Sequence, residues 1–428
     1  MAINISLEDS IILLCCCVNP HAQHIKTIDQ KLSGSIDWDY ICHVAKYHNI
    51  SSLIYNNLSL CNNRSIIPSN VYEKLHKEYT TVALKNLLFI NEYQRIVQAF
   101  NMHKIKFIPL KGISFLKDLY ANIALRSLMD IDILIQQQDT LSAQNILKDM
   151  SYEIIPHMFY LRGTHFHDNL IKTTQPVSYV IELHWDIDFS DSAFNITIND
   201  FWQRAEPINA GLLSCYQLSF EDSILLNCFH IFRDPHSQSG IISLKNLLDI
   251  YEIINRNSKI INFDIIMERA TLYNIRRPML LVLFLVQELL NKTMPFDIEN
   301  SIEKEGFTDV MLNTLLKERI FLKKPESFFL PGGVYIKAGS DKNSLTINPL
   351  TMVYELYIRI RVKYGTYKSF RKSFVPIINM IYRSVCNLFK VIFIYFFDYQ
   401  KSFTTLKNKV QANDTLSKID NWLRGNSL

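Results

Sequence analysis

The feature that most constrains this chain is a short apolar run, residues 129–135, that carries two aspartates, Asp130 and Asp132. The run predicts a β-strand, and residues two apart in a strand face the same side, so the two carboxylates point together. Its apolar neighbours indicate a central strand whose charges emerge at a cleft, although an edge strand facing water can show the same letters. Like charges this close are unfavourable without a cation between them, and carboxylate oxygens suit Mg²⁺.

A third carboxylate, Glu182, lies in another predicted strand, residues 177–189. On a strand beside the first, Glu182 would join Asp130 and Asp132 in one metal site. His184 shares the face of Glu182 by strand alternation. It either orients this carboxylate, contacts an acceptor molecule or is a satisfied structural histidine.

Periodicity predicts helices on both sides of these strands. A strand at 105–110, a turn at Lys111-Gly112 and a helix at 113–122 precede the acidic strand, and the segment between 150 and 177 has no clear period and predicts a loop. The other predicted helices are residues 6–18, 38–48, 70–103, 140–150, 221–232, 243–255, 263–272, 277–291 and 309–322. The predicted class is α+β, with a mixed sheet flanked by helices and with helical N-terminal and C-terminal regions.

The chain divides into five predicted segments. They are a helical region at 1–103, an α/β core at 104–210, a helical domain closing the cleft at 211–322, a Pro- and Gly-containing linker at 323–349, and a basic helical extension at 350–428. Residues 351–428 carry 13 Lys and Arg against 4 Asp and Glu, a net charge of +9. Its amphipathic stretch, 374–397, either packs on the body, which we favour, or binds an anionic partner such as a membrane surface or RNA.

Composition narrows the functional classes. With 428 residues, of which 48% are hydrophobic, the chain can bury a large core and is not a disordered tail. Its eight cysteines include no Cys-x-x-Cys pair, and no apolar run approaches the roughly 20 residues that span a bilayer. We therefore expect reduced thiols and a cytoplasmic protein. Residues 1–350 carry a net charge of −5, which disfavours long duplex nucleic acid as a partner.

Several motifs resemble one family. They are Leu110-Lys111-Gly112, residues 125–134 (LRSLMDIDIL), residues 181–185 (IELHW), and later motifs at 201–205, 218–222 and 244–250. Together they are similar to the motifs of a mostly uncharacterised bacterial nucleotidyltransferase family in the polymerase-beta-like superfamily. The resemblance covers roughly residues 10–295. It implies a mixed sheet with helices, and a helical partner domain that closes a nucleotide cleft.

Carried over position by position, the resemblance implies that Asp130 and Asp132 are metal ligands and that Glu182 is the third catalytic and metal-binding carboxylate. The implied reaction uses two Mg²⁺ ions and moves an NMP from an NTP, most often ATP by cellular abundance, to an acceptor, releasing pyrophosphate. The acceptor is a protein side chain, a tRNA end or a small molecule. The alternative is a catalytically inactive nucleotide- or partner-binding regulatory module with the same fold.

The implied phosphate-binding residues surround the turn after the first strand. Gly112 lets the backbone approach phosphate, and Lys111 stands where many superfamily members have a small residue. That departure leaves open whether the Ser114 hydroxyl contacts phosphate. Arg126 either clamps a phosphate or forms a salt bridge, and a salt bridge would join it to one of two aspartates, Asp118 or Asp130.

A further polar cluster occurs in the later, apolar helices. Its members are His230, Arg233, Asp234, His236, Lys245 and Asp249. A base-binding or acceptor-binding role is one interpretation. Helix caps and ion pairs between helices explain the same residues more simply.

Overall fold

A computed structural model describes residues 5–155, 166–188, 194–210, 213–233, 242–321, 337–338, 345–346 and 419. Among these, a first compact unit comprises the residues up to 233 and 242–312, and a second comprises those from 313 onward. Most of the predicted linker and the whole predicted helix at 374–397 lie outside the described residues. The assignment of an anionic partner to residues 350–428 stays a prediction.

Helices account for most of the described chain, as the periodicity predicts. They are α1 Leu7–Cys15, α2 Ala22–Leu32, α3 Trp38–Tyr47, α4 Ser51–Ser59, α5 Ser69–Met102, α6 Gly112–Asp118, α7 Thr140–Asp149, α8 Ile198–Arg204, α9 Phe220–Arg233, α10 Leu244–Asn257, α11 Phe263–Leu272, α12 Arg276–Leu290, α13 Phe296–Glu305 and α14 Asp309–Leu315. A π-helical turn, Leu316–Ile320, follows α14. None of the helices in the described ranges has the length and apolarity needed to cross a bilayer.

The strands form one main sheet and two short hairpins within the described residues. They are β1 Phe107–Leu110, β2 Ile131–Ile135, β3 Glu153–Ile154, β4 His167–Thr174, β5 Val177–His184, β6 Glu206–Ala210, β7 Leu213–Gln217, β8 Lys337–Ala338 and β9 Leu345–Thr346. The main sheet has the order β1-β2-β5-β4-β3. Strands β2 and β5 are parallel, whereas the other three pairs are antiparallel, so the sheet is mixed and the α+β class is confirmed.

Two sequence-based assignments change in the structure. The loop predicted between 150 and 177 is wrong for residues 167–174, which form β4. The acidic strand begins at Ile131 rather than at residue 129, so Asp130 directly precedes it. The hairpin β6–β7 was not predicted from the sequence.

One face of the main sheet is covered by helices α5 and α7. Alternate residues of β2, namely Ile131, Ile133 and Ile135, point into this core because strand side chains alternate between faces. Residues from β1, β4, β5, α5 and α7 complete it, including Phe107, Leu170, Ile181, Leu183, Phe89, Ile96 and Leu147. The intervening residues of the same strands therefore project from the opposite face.

Helices α9, α11 and α12 form a second group, and α10 packs among them. Asp222, which is fully buried on α9, accepts hydrogen bonds from Arg204 at 2.8 and 2.9 Å and from Arg269 at 2.8 Å. Tyr273 also contacts Arg204, at 2.9 Å. These paired charges fix α8, α9 and α11 together, and α10 packs against α9 and α12.

Candidate functional site

The predicted carboxylates meet at adjacent strands of the main sheet. In the parallel pairing of β2 with β5, Asp132 lies directly opposite Glu182. The prediction that Glu182 occupies a strand beside the acidic one is therefore confirmed. Asp130 stands one residue before β2, close enough that the charges of Asp132 and Glu182 both act on it.

A buried asparagine on α5 fixes the segment that leads into β2. Asn86 is fully buried, and its Nδ2 donates hydrogen bonds to the carbonyl oxygens of Ile123 and Arg126. Its Oδ1 accepts a hydrogen bond from the backbone N–H of Leu128 at 3.3 Å. Satisfying these backbone groups holds the irregular segment in one conformation, so the position of Asp130 is set by α5 as well as by β2.

The turn after β1 places a lysine on the acidic cluster. Lys111 has φ 44° and ψ −136°, a conformation that glycine adopts readily and other residues adopt at a cost of about 1 to 3 kcal/mol. Its Nζ lies 2.8 Å from Asp132 Oδ1. The Ser114 hydroxyl donates a hydrogen bond to the Lys111 carbonyl oxygen. The hydrogen of this hydroxyl is therefore used within the turn.

Gly112 is required by the close approach of Arg126. A Cβ at position 112 would lie 2.9 Å from Arg126 Nη1 and 3.0 Å from Leu128 Cδ2. Arg126 in turn is buried and bidentate to Asp249 of α10, with Nε–Oδ1 and Nη2–Oδ2 distances of 2.8 and 2.7 Å. The salt bridge thus joins Arg126 to a residue 123 positions away, rather than to Asp118 or Asp130.

The ion pair of Arg126 with Asp249 also brings a second lysine, Lys245, to the site. Tyr120 donates a hydrogen bond to Asp249 Oδ1 at 2.7 Å, and one turn earlier on α10 the Lys245 ammonium lies 3.5 Å from the Ser127 carbonyl oxygen. Burial and the nearby Arg126 lower the pKa of Lys245 to about 8, although Asp249 and Asp130 partly offset them. Sequence reasoning placed Lys245 in a separate cluster. The feature that singled out Lys245 in the sequence was a charged side chain near the start of an otherwise apolar helix.

A group suited to a divalent cation lies at the centre of the site. Asp132, Glu182 and His184 each offer one ligand atom, and these three atoms lie within 4.8 Å of one another. His184 Nε2 is 3.3 Å from Asp132 Oδ1 and 3.3 Å from Glu182 Oε2. The carboxylate oxygens are ligands that a divalent cation accepts, and the imidazole beside them either binds the cation or holds the carboxylates, so the residues present fit a metal ion.

The two aspartates experience opposite electrostatic environments. Burial, reinforced by the charges of Asp132 and Glu182, raises the pKa of Asp130 to about 6. Burial would also raise the pKa of Asp132, but the Lys111 ammonium and His184 outweigh it and hold that pKa well below its ordinary value. Asp132 is therefore compensated by close partners, whereas Lys111 and Lys245 offset the repulsion at Asp130 only in part. An added cation would relieve the most repulsion at Asp130.

One residue beside the cluster was not found from the sequence. Asn169 of β4 lies directly opposite Glu182 of β5, so both side chains project from the same face of the sheet. Its Oδ1 is buried and has no hydrogen-bond partner among the described residues. The sequence offered no signal for it, because the β4 segment lacks a strand-like hydrophobic period.

Comparisons with known proteins agree with the motifs. The chain belongs to the family described as "Uncharacterised nucleotidyltransferase", whose sequence profile matches residues 34–291 and so includes the carboxylates, the lysine turn and α10. Similarity also extends to a crystal structure of an antigenic nucleotidyltransferase-like protein from Paracoccidioides brasiliensis, at 13% identity and a TM-score of 0.29, covering 53% of this chain and 92% of that chain. No curated protein matches the chain.

Proposed function

We propose that this protein is a divalent-metal-dependent nucleotidyltransferase that moves an NMP from an NTP to an acceptor group and releases pyrophosphate. The observation that carries the proposal is the register pairing of Asp132 with Glu182, with Asp130 immediately before β2, in a chain of this family. Mg²⁺ is the expected metal and ATP the expected nucleotide. Bound at Asp130, Asp132 and Glu182, two Mg²⁺ ions would neutralise the triphosphate and lower the pKa of the attacking acceptor group.

The cations of the site support a triphosphate on the side of the two aspartates. Lys111 contacts Asp132, and Lys245 approaches the same pair from α10. Lys111 can move from Asp132, and Lys245 from the Ser127 carbonyl oxygen, to phosphate oxygens when a nucleotide enters, since both side chains are long and flexible. We assign phosphate contacts to these lysines and to the turn formed by Gly112 and Ser114.

Arg126 supports the site differently. Nε and Nη2 of its guanidinium already bind Asp249, and the side chain is only 5% exposed. We propose that Arg126 holds α10 against the loop before β2 and thereby positions Lys245, rather than binding phosphate itself.

Glu182 is more accessible to an acceptor than Asp132 is, since its side chain is 26% exposed against 4% for Asp132. Asp130 is also partly exposed, but the charges of Lys111 and Lys245 act on it from the phosphate side. We therefore assign Glu182 to the acceptor side, where loss of its charge would slow the transfer more than it would weaken NTP binding.

The seven described cysteines are free thiols, which supports our placement of the protein in a reducing compartment such as the cytoplasm.

The test is incubation of the full-length protein with [α-³²P]ATP, Mg²⁺ and a cell lysate. We expect label on protein, RNA or a small molecule together with pyrophosphate release, and loss of both in Asp132→Asn and Glu182→Gln. The matched control is Glu153→Gln, which removes an exposed carboxylate from the same sheet and should label normally. Mg²⁺-dependent ATP binding without transfer or pyrophosphate release would contradict the enzyme and favour the regulatory module.

A further inference from the structure

His184 is the buried imidazole of the group Asp132, Glu182 and His184 that could hold a metal ion. It is the last residue of β5, is 1% exposed, and lies opposite Leu134 of β2 and His167 of β4. Its ring stacks on His167, with centroids 4.9 Å apart, and on Phe166, with centroids 6.0 Å apart. Packing therefore fixes the ring plane, so Nε2 faces the carboxylates from one defined direction.

The surroundings of the two ring nitrogens determine which one carries the proton. Nε2 lies 3.3 Å from an oxygen of Asp132 and 3.3 Å from an oxygen of Glu182. A nitrogen lone pair facing two carboxylates would be repelled by both, whereas an N–H is attracted by both. Nδ1 is buried without a hydrogen-bond partner among the described residues, so a hydrogen placed on Nδ1 would be a buried N–H with no acceptor there. Both observations favour the tautomer with hydrogen on Nε2.

We propose that His184 is a positioning residue that orients Asp132 and Glu182 for the divalent cation: its Nε2–H donates a hydrogen bond to Asp132 Oδ1 and attracts Glu182 Oε2 electrostatically. The other carboxylate oxygens then remain for the metal. This inference rests on the metal site of the proposed function and adds a residue that acts through the ligands. A direct ligand role for His184 fits less well, because metal-bound histidines usually donate their second ring N–H to an acceptor, and the described part of the chain offers none to Nδ1.

The test compares three substitutions that differ in where they place a donor. The amide nitrogen of His184→Gln can reach the position of Nε2, that of His184→Asn reaches only the position of Nδ1, and His184→Leu has no donor. Binding of Mn²⁺ alone to the full-length protein is measured from the electron paramagnetic resonance signal of free Mn²⁺. We expect Leu and Asn to weaken Mn²⁺ binding about 10- to 100-fold and Gln to retain most of it.

Thermal melting of each variant separates positioning from folding, since a structural role would make Mn²⁺ affinity follow melting temperature rather than the position of the donor. Electron spin-echo modulation on bound Mn²⁺ adds a second readout: we expect no strong ¹⁴N coupling from His184. Equal Mn²⁺ affinity in all variants, or a strong ¹⁴N coupling that His184→Gln removes, would overturn the inference alone. Absence of Mn²⁺ binding to the unmodified protein would overturn the proposed function and this inference with it.

Discussion

The two faces of the main sheet both bury charge, but they compensate it differently. On the helix face, defined here by Glu92, Lys172, Tyr152 and Arg95, the carboxylate of Glu92 receives Lys172 at 2.7 Å, Tyr152 at 3.0 Å and Arg95 at 3.0 Å. On the carboxylate face, defined by Asp130, Asp132, Glu182 and His184, Lys111 is the only lysine in the described part of the chain that forms an ion pair with the three acids, and Lys245 acts on them from farther away.

This difference distinguishes a structural charge cluster from a binding site. Glu92 has all the partners it needs within the fold, so its cluster requires no ligand. Burial and the charges of Asp132 and Glu182 raise the pKa of Asp130 to about 6, because Lys111 and Lys245 offset them only in part. We infer that the carboxylate face is completed only by an added cation, and the following predictions test that contrast.

The largest expected effect lies on the helix face. Glu92→Gln leaves the Lys172 ammonium buried without its counter-charge and should lower the free energy of unfolding by about 3 to 5 kcal/mol. The corresponding change on the carboxylate face, Glu182→Gln, should alter it by less than about 1 kcal/mol, because Glu182 is partly exposed. Urea denaturation measures both. Similar losses in the two variants would remove the contrast between the faces.

The next largest effect is on the free energy of unfolding, which Asp132→Asn and Asp130→Asn on the carboxylate face should change in opposite directions. In metal-free protein at neutral pH, Asp132→Asn should lower the free energy of unfolding by about 1 to 3 kcal/mol, because it breaks charge-assisted contacts with Lys111 and His184. Asp130→Asn should raise it by about 1 to 2 kcal/mol, because it removes a buried charge that its neighbours compensate only in part. Calorimetric melting in EDTA decides the signs. Destabilisation by both changes would contradict the electrostatic assignment.

The pH dependence sharpens the assignment of Asp130. Because its pKa is about 6 in the folded protein and about 4 when unfolded, the folded state binds more protons between these values. The contribution of Asp130 to the free energy of unfolding of the metal-free protein should therefore fall as the pH rises from about 4 to about 6. The advantage of Asp130→Asn over the unmodified protein should be near zero below pH 4 and complete above pH 6. A difference that is constant with pH would place its origin elsewhere.

The smallest effect concerns the turn. Glycine accommodates the backbone angles of Lys111 without strain, so Lys111→Gly should be more stable than Lys111→Ala by about 1 kcal/mol, the reverse of the usual order. Both variants lose the ammonium that contacts Asp132, so they differ in the backbone alone. Parallel urea titrations make the comparison. An alanine variant as stable as the glycine variant would show that the turn relaxes.

How much the sequence predicted depends on the range of each interaction. The grouping of Asp130, Asp132 and Glu182 was predictable, because strand alternation is local and the family motifs place all three. Strand β4 was not, because two of its inward-facing residues, Asp168 and Lys172, are charged and hide the hydrophobic period. Each is buried beside a polar partner on a helix, Gln144 of α7 for Asp168 and Glu92 of α5 for Lys172.

Arg126 shows a second limit of sequence reasoning. A guanidinium just before an acidic strand predicts equally a phosphate clamp or a salt bridge to a nearby aspartate. The contact in the structure is with Asp249, which only the packing of α10 brings close. Long-range ion pairs of this kind leave no spacing signal in a single sequence. The sequence shows a glycine at position 112, but it does not show that this glycine makes room for Arg126.

The measurement that tests the central claim most directly is calorimetric titration of ATP into the full-length protein with Mg²⁺ and again with EDTA. If the carboxylate face is completed by a metal, ATP should bind in Mg²⁺ and weaken at least about tenfold in EDTA or in Asp132→Asn, while Glu153→Gln and the correctly folded fraction of Glu92→Gln behave as the unmodified protein does. ATP affinity that is the same with and without Mg²⁺, and unchanged by Asp132→Asn, would contradict the account.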